Sequence, residues 1–169
     1  QNFKIQVELC YNYINDNFKE KLDEKKNILL DLGVFCLENS ESKIACRVFD
    51  SLIKIDSKNP DFLCFRVLSS EKLGDLQKHI EAMQKILKQY PFHRYSNINL
   101  GYLYKKSNNI LRARTQYFKS FSLLEKSKGN YNIEPMLKEA DSLLKNNNSK
   151  KAIEIYEPLA SEILSAERL

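Results

Sequence analysis

A stride of 34 residues limits what this chain can fold into more than any single motif does. Leu29, Leu32, Gly33 and Cys36 follow the i, i+3, i+4, i+7 spacing of one helix face. Twelve residues beyond the glycine stands Ala45, and then Phe49. The same arrangement returns at Leu100, Gly101 and Tyr104, followed by Ala113 and Tyr117. Gly33 to Gly101 and Ala45 to Ala113 are both 68 residues, twice 34, so one whole unit must fit between them. Leu63, Val67, Ser70, His79 and Met83 fill its places, with Gly74-Asp75 as the turn between two helices and Pro91 closing the second. A fourth unit is offset by 39, since Ala152 and Tyr156 answer Ala113 and Tyr117. The five extra residues fit a loop insertion around Lys128, Gly129, Asn130, Tyr131 and Asn132.

Composition agrees with stacked helices. With 169 residues, 43% of them hydrophobic and 29% charged, the chain can bury a core without disulfides or metal. Four glycines and four prolines are too few for a turn-dense sandwich or barrel, and no apolar run approaches the roughly 20 residues that cross a bilayer. Gly33, Gly74, Gly101 and Gly129 never come close enough to form a phosphate-cradling loop. Cys10, Cys36, Cys46 and Cys64 contain no C-x-x-C pair and read as buried small hydrophobes, although their even number leaves an oxidised pair open. No metal site and no cofactor is expected. The chain opens with Gln1 and shows no basic segment followed by an apolar one, so any signal or anchor is expected to have been removed or to lie elsewhere. The compartment, cytoplasm or cell envelope, stays open.

These units resemble tetratricopeptide repeats, which have a period of about 34 residues, two antiparallel helices per unit and a W-x2-L-G-x2-Y…A-x3-F…P pattern. Leu32-Gly33 with Ala45 and Phe49, and Leu100-Gly101 with Tyr104, Ala113 and Tyr117, carry the likeness. Leu73-Gly74-Asp75 through Ile80, Leu87 and Pro91 matches the turn and second helix of the unit between them. The resemblance implies an all-α, right-handed α-α superhelix of about four helix pairs plus an N-terminal capping helix. Its parts are a cap over 1–25, repeats over 26–59, 60–93 and 94–132, the last with the loop insertion, and a degenerate repeat with the C-terminal helix over 133–169. Small residues at the Gly33 and Ala45 places let paired backbones approach. Val67 and His79 in the second unit therefore predict a splayed or shifted pair.

Helices are expected near 6–22, 27–39, 43–56, 60–73, 76–90, 94–107, 110–126, 134–146 and 149–168. Val7, Cys10, Tyr11, Ile14 and Phe18 form an apolar stripe that would seat the first helix over the end of the array. Pro135 suits the first turn of its helix, whereas Pro158 predicts a kink or break between Tyr156 and Leu159.

In such an array the first helix of each unit lines the inner wall, the usual ligand surface of the family. The wall reads Leu30, Val34 and Leu37 beside Asn27, then Cys64 and Leu68 with Asp61 and Glu71, then Tyr95, Ile98, Tyr102 and Lys105, then Leu137 and Asp141 with Glu134. Family members that clamp an acidic chaperone tail carry lysines and asparagines there, whereas this chain has Leu30 and Val34. The expected partner is thus a protein or peptide segment, apolar or amphipathic, with room for acidic residues in it. The wall filled by the N-terminal helix or by a second copy is the competing reading.

Charge supplies a second signal. Residues 94–132 hold Arg94, Lys105, Lys106, Arg112, Arg114, Lys119, Lys126 and Lys128 against Glu125, for +7, and the rest of the chain sums to −2. With Tyr102, Tyr104 and Tyr117 interleaved, this basic patch suits an acidic partner or the phosphates of RNA. Nucleic acid is disfavoured because Tyr104 and Tyr117 have packing places in the repeat. His79 and His93 lack a nucleophile or carboxylate partner at local spacing, so no catalytic residue is assigned and no enzyme activity is expected. The expected role is a non-catalytic protein-interaction module, a scaffold or adaptor. The alternatives are an RNA-binding helical repeat and a self-associating structural domain.

Overall fold

The computed structural model describes residues 2–125 and 134–166, and among these every regular element is helical. They are α1 (Asn2–Asn17), α2 (Leu22–Glu38), α3 (Ser42–Ile55), α4 (Pro60–Ser70) with a 3-10 turn at Glu71–Leu73, α5 (Leu76–Gln89), α6 (Arg94–Lys106), α7 (Ile110–Glu125), α8 (Glu134–Lys145) and α9 (Ser149–Ala166). The loop expected around Lys128–Asn132 lies outside the described residues. Two compact units divide the chain at residues 82 and 83, within α5.

In the first unit α3 is the central helix. Ile44, Ala45, Val48, Phe49 and Leu52 are all at most 1% exposed, and they meet Leu29 and Cys36 of α2 and Phe62 of α4. Full burial of each large side chain is worth about 1.5–3 kcal/mol, which is what holds this helix between its neighbours. Gly33 fits against the Phe49 ring: a Cβ on it would stand 2.7 Å from Phe49 Cζ. The glycine thus makes room for an aromatic ring as much as for the opposite backbone. The second unit repeats the device, with a Gly101 Cβ position 2.9 Å from Tyr117 Cε1. There Tyr117, Phe121 and Tyr156 stack with ring centroids 5.8–6.5 Å apart, tying α7 to α9.

The turns inside the pairs keep the period too. Ser40, Asn108 and Asn147 all adopt positive φ, 62°, 60° and 58°. Each is followed by a residue whose N–H closes on a carbonyl five residues back: Glu41 on Cys36, Asn109 on Tyr104, Asn148 on Leu143, all at 2.8 Å. Gly74 occupies the matching place in the remaining pair but has φ −140°. There the chain leaves α4 through the 3-10 turn, and a Cβ on Gly74 would stand 2.8 Å from His79 Cε1. The large residue at the small place is accommodated by this altered turn.

Three local expectations are corrected. The first helix runs over 2–17, not 6–22, and the second begins at Leu22, where Asp23 and Glu24 supply the acids that suit a helix N-terminus. No break occurs at Pro158, since α9 is helical from Ser149 to Ala166. Pro158 is exposed, as is Glu154, whose carbonyl loses its partner there and can be hydrated, while Tyr156, Leu159 and Ala160 stay buried on the other side. The α1 stripe is only partly a cap. Val7 and Ile14 are buried, but Cys10 is exposed.

Candidate functional site

On α2, Leu30, Val34 and Leu37 are half-buried, and Leu30 and Leu37 also pack against the core of the first unit. On α4, Leu68 is half-buried while Cys64 is 1% exposed. In the second unit Tyr95 and Lys105 are half-buried, Tyr102 is 41% exposed and Ile98 is 2% exposed. Cys64 and Ile98 are therefore withdrawn from the expected open row, because their burial leaves neither side chain a surface to offer. Asp141, expected on the same wall, is committed to Arg114, its Oδ1 accepting from Nη2 at 2.8 Å.

The basic patch is partly neutralised from within. Lys105 donates to the carboxylate of Glu157 on α9, and Arg114 pairs with Asp141 on α8, a bond that raises the guanidinium pKa. Arg112 lies 5.7 Å over the Tyr104 ring and Lys106 5.9 Å over that of Tyr102. Arg94 and Lys119 likewise have interactions of their own. The sequence count of +7 missed these partners because they arrive from helices 27 and 52 positions further along.

Neither histidine is isolated. His79 is 6% exposed and its Nε2 lies 3.1 Å from Ser70 Oγ, and His93 Nδ1 lies 2.7 Å from Ser96 Oγ. Both pairs close turns of the backbone: Ser70 also donates to Val67 O at 2.9 Å, and His93 precedes α6. Among the described residues no group of three or more His, Cys, Asp and Glu is placed to hold a metal ion, and no helix is long and apolar enough to cross a membrane. None of the four cysteines is joined in a disulfide. Burial, reinforced by Glu41 and Glu8, pushes the Cys36 thiol up to about 11.

One feature was not anticipated. Leu9, Cys10, Tyr13, Ile14 and Phe18 from the α1 side and Ile28, Asp31, Leu32 and Phe35 from α2 line a cleft of about 760 Å3. Leu9 and Tyr13 are each 62% exposed and Phe35 44%, an unusual outlay of large apolar surface on two adjacent helices. The signal in the sequence was a second apolar flank on α1, beside the stripe that packs inward.

Against known proteins, no family model and no curated protein matches the chain. Solved structures do. A crystal structure of MamA superposes with a TM-score of 0.59 at 12% identity, covering 99% of this chain and 95% of that one. A second MamA crystal structure gives 0.58 at 15% identity, covering 95% and 84%. MamA from Desulfovibrio magneticus RS-1, residue 41 to the end, gives 0.51 at 13%, covering 96% and 95%. At these identities the likeness shows the fold alone. The chain is an all-α helical-repeat solenoid similar to MamA.

Proposed function

We propose that this chain is a tetratricopeptide-like protein-interaction module, a scaffold or adaptor that does no chemistry and captures an apolar or amphipathic segment on the inner faces of its first helices. The observation that carries this reading is Tyr102. It is a large aromatic of α6, assigned to the inner face by the repeat spacing, and it is 41% exposed in a helix whose Ile98, Leu100 and Leu103 are buried. An aromatic ring that stays 41% exposed with Lys106 over its face is the kind of anchor that contributes most at protein interfaces. In the first unit, Leu30, Val34, Leu37 and Leu68 supply half-buried apolar area, worth about 25 cal/mol per Å2 once a partner covers it.

RNA binding by the basic patch finds less support, since Lys105 and Arg114 spend their charge on Glu157 and Asp141. Site-specific photo-crosslinking tests the reading. A benzophenone side chain replacing Tyr102 or Val34 should trap one protein partner in cells, and the same group at exposed Phe92 or Leu111 should not. Identical products from all four positions would sink it. A partner trapped only from Phe92 or Leu111 would do the same.

A further inference from the structure

The cleft between α1 and α2 exposes an apolar surface that the first unit leaves uncovered. Within the first unit, α3 is flanked on one side by α2 and on the other by α4, and its apolar residues are spent on both. α1 meets α2 and α3 in the same manner through Val7, Tyr11 and Ile14, with Tyr11 Oη 2.8 Å from Ser51 Oγ and Glu8 paired to Arg47 at 2.7 Å. Its other flank, Leu9, Cys10 and Tyr13, faces α2 across the cleft, with the Tyr13 ring edge-on to Phe18 at 6.5 Å, and is exposed. The floor from Ile28 to Phe35 runs roughly 10 Å along α2, about two turns of helix. A helix with apolar residues at i, i+3 or i+4, and i+7 would cover it, as the Leu29, Gly33 and Cys36 face of α2 covers α3.

The charges around the cleft select among such helices. Asp31 lines it, and Glu24 and Glu38 stand seven residues before and after, so the three acids mark one edge of α2. Lys21 pairs with Glu24 at 3.2 Å, which leaves Asp31 as the acid at mid-cleft. By helical spacing the open flank of α1 consists of Asn2, Phe3, Gln6, Leu9, Cys10, Tyr13 and Asn17, with no charge among them. Of the nearby cations, Lys19 and Lys21 belong to the turn between the two helices, Lys26 is bound to Asp23 at 2.8 Å, and Lys25 lies on the Ile28 and Leu32 row, on the side of α2 away from Asp31. An apolar trough with one acidic edge complements a helix that carries lysines or arginines along one border of its apolar stripe.

We propose that the α1–α2 cleft is a second docking site, distinct from the inner faces, and that its occupant is a basic amphipathic helix of a partner protein. The probe is a fluorescein-labelled 18-residue peptide with a leucine stripe bordered by lysines, titrated by anisotropy into the whole chain. Saturable binding should slow alkylation of Cys10. Leu9→Asn and Tyr13→Asn, both at exposed positions, should each weaken it at least tenfold while circular dichroism stays unchanged. Asp31→Lys should weaken the lysine peptide and strengthen its glutamate-bordered counterpart, and Tyr102→Ala, on the inner face, should change neither. Failure here is thereby separate from failure of the inner-face reading. The proposal is overturned if the two peptides bind alike, if Leu9→Asn and Tyr13→Asn leave the affinity intact, or if sedimentation shows a dimer of the chain alone that Leu9→Asn dissolves, since the seat would then belong to a second copy.

Discussion

Cys36 and Cys10 lie on adjoining helices and meet opposite fates, and the difference is measurable. Cys36 is 0% exposed on α2, and burial foremost, with the carboxylates of Glu41 and Glu8 adding, raises its thiol from 9.0 to about 11. The native state therefore keeps this proton at pH values where the unfolded chain has released it. Its contribution to stability is intact below about pH 9 and drains away as pH climbs towards 11. Between about pH 8 and about pH 10.5 the wild-type chain should lose about 2 kcal/mol more than Cys36→Ala, read from urea midpoints at each pH. Equal losses would show that the buried thiol carries no such linkage.

At the scale of the element, the pairing of α2 with α3 depends on one missing methyl group. Phe49 is 0% exposed and stacks on Phe65 with centroids 5.4 Å apart, so its ring cannot retreat from a Cβ placed 2.7 Å away. Overpacking of this kind costs about 1–3 kcal/mol, of which the better helix propensity of alanine returns about 1. Gly33→Ala should thus destabilise by about 1 kcal/mol, yet become neutral or stabilising in a Phe49→Leu background. Additive effects in that double-mutant cycle would refute the close fit. The elements themselves were legible because Gly33, Ala45 and Phe49 recur at Gly101, Ala113 and Tyr117, and a fixed stride locates the first three pairs at once. Their edges were less so. Asp23 and Glu24 announce the start of α2, but the apolar pattern begins only several residues later, and Pro158 looked like a breaker because a sequence does not say that its carbonyl partner faces water.

For the molecule as a whole, what could not be read was coverage. Cys64, Ile98 and Tyr102 share one periodicity, and only packing decides that the first two are shut and the third open. The α1 stripe likewise has two apolar flanks, and composition cannot say which one the rest of the chain occupies. Carboxylates that quench the basic patch come from α8 and α9, beyond any local window. The same dependence on near neighbours predicts how the chain yields. In stacked helical repeats each unit is held chiefly by the one beside it, so damage should spread outward from its origin rather than strike everywhere together. Tyr117 is 2% exposed at the centre of the ring stack with Phe121 and Tyr156, and its truncation to alanine should cost about 3–5 kcal/mol. Both rings stacked on it, and Gly101 beneath it, belong to the unit spanning residues 83–169. Hydrogen exchange followed by mass spectrometry should therefore show amides of α6, α7 and α9 accelerating by roughly a hundredfold or more in Tyr117→Ala. Those of α2 and α3 should accelerate at least tenfold less. A uniform acceleration along the chain would mean that the two compact units open as one cooperative body, and that the 34-residue stride governs construction without governing stability.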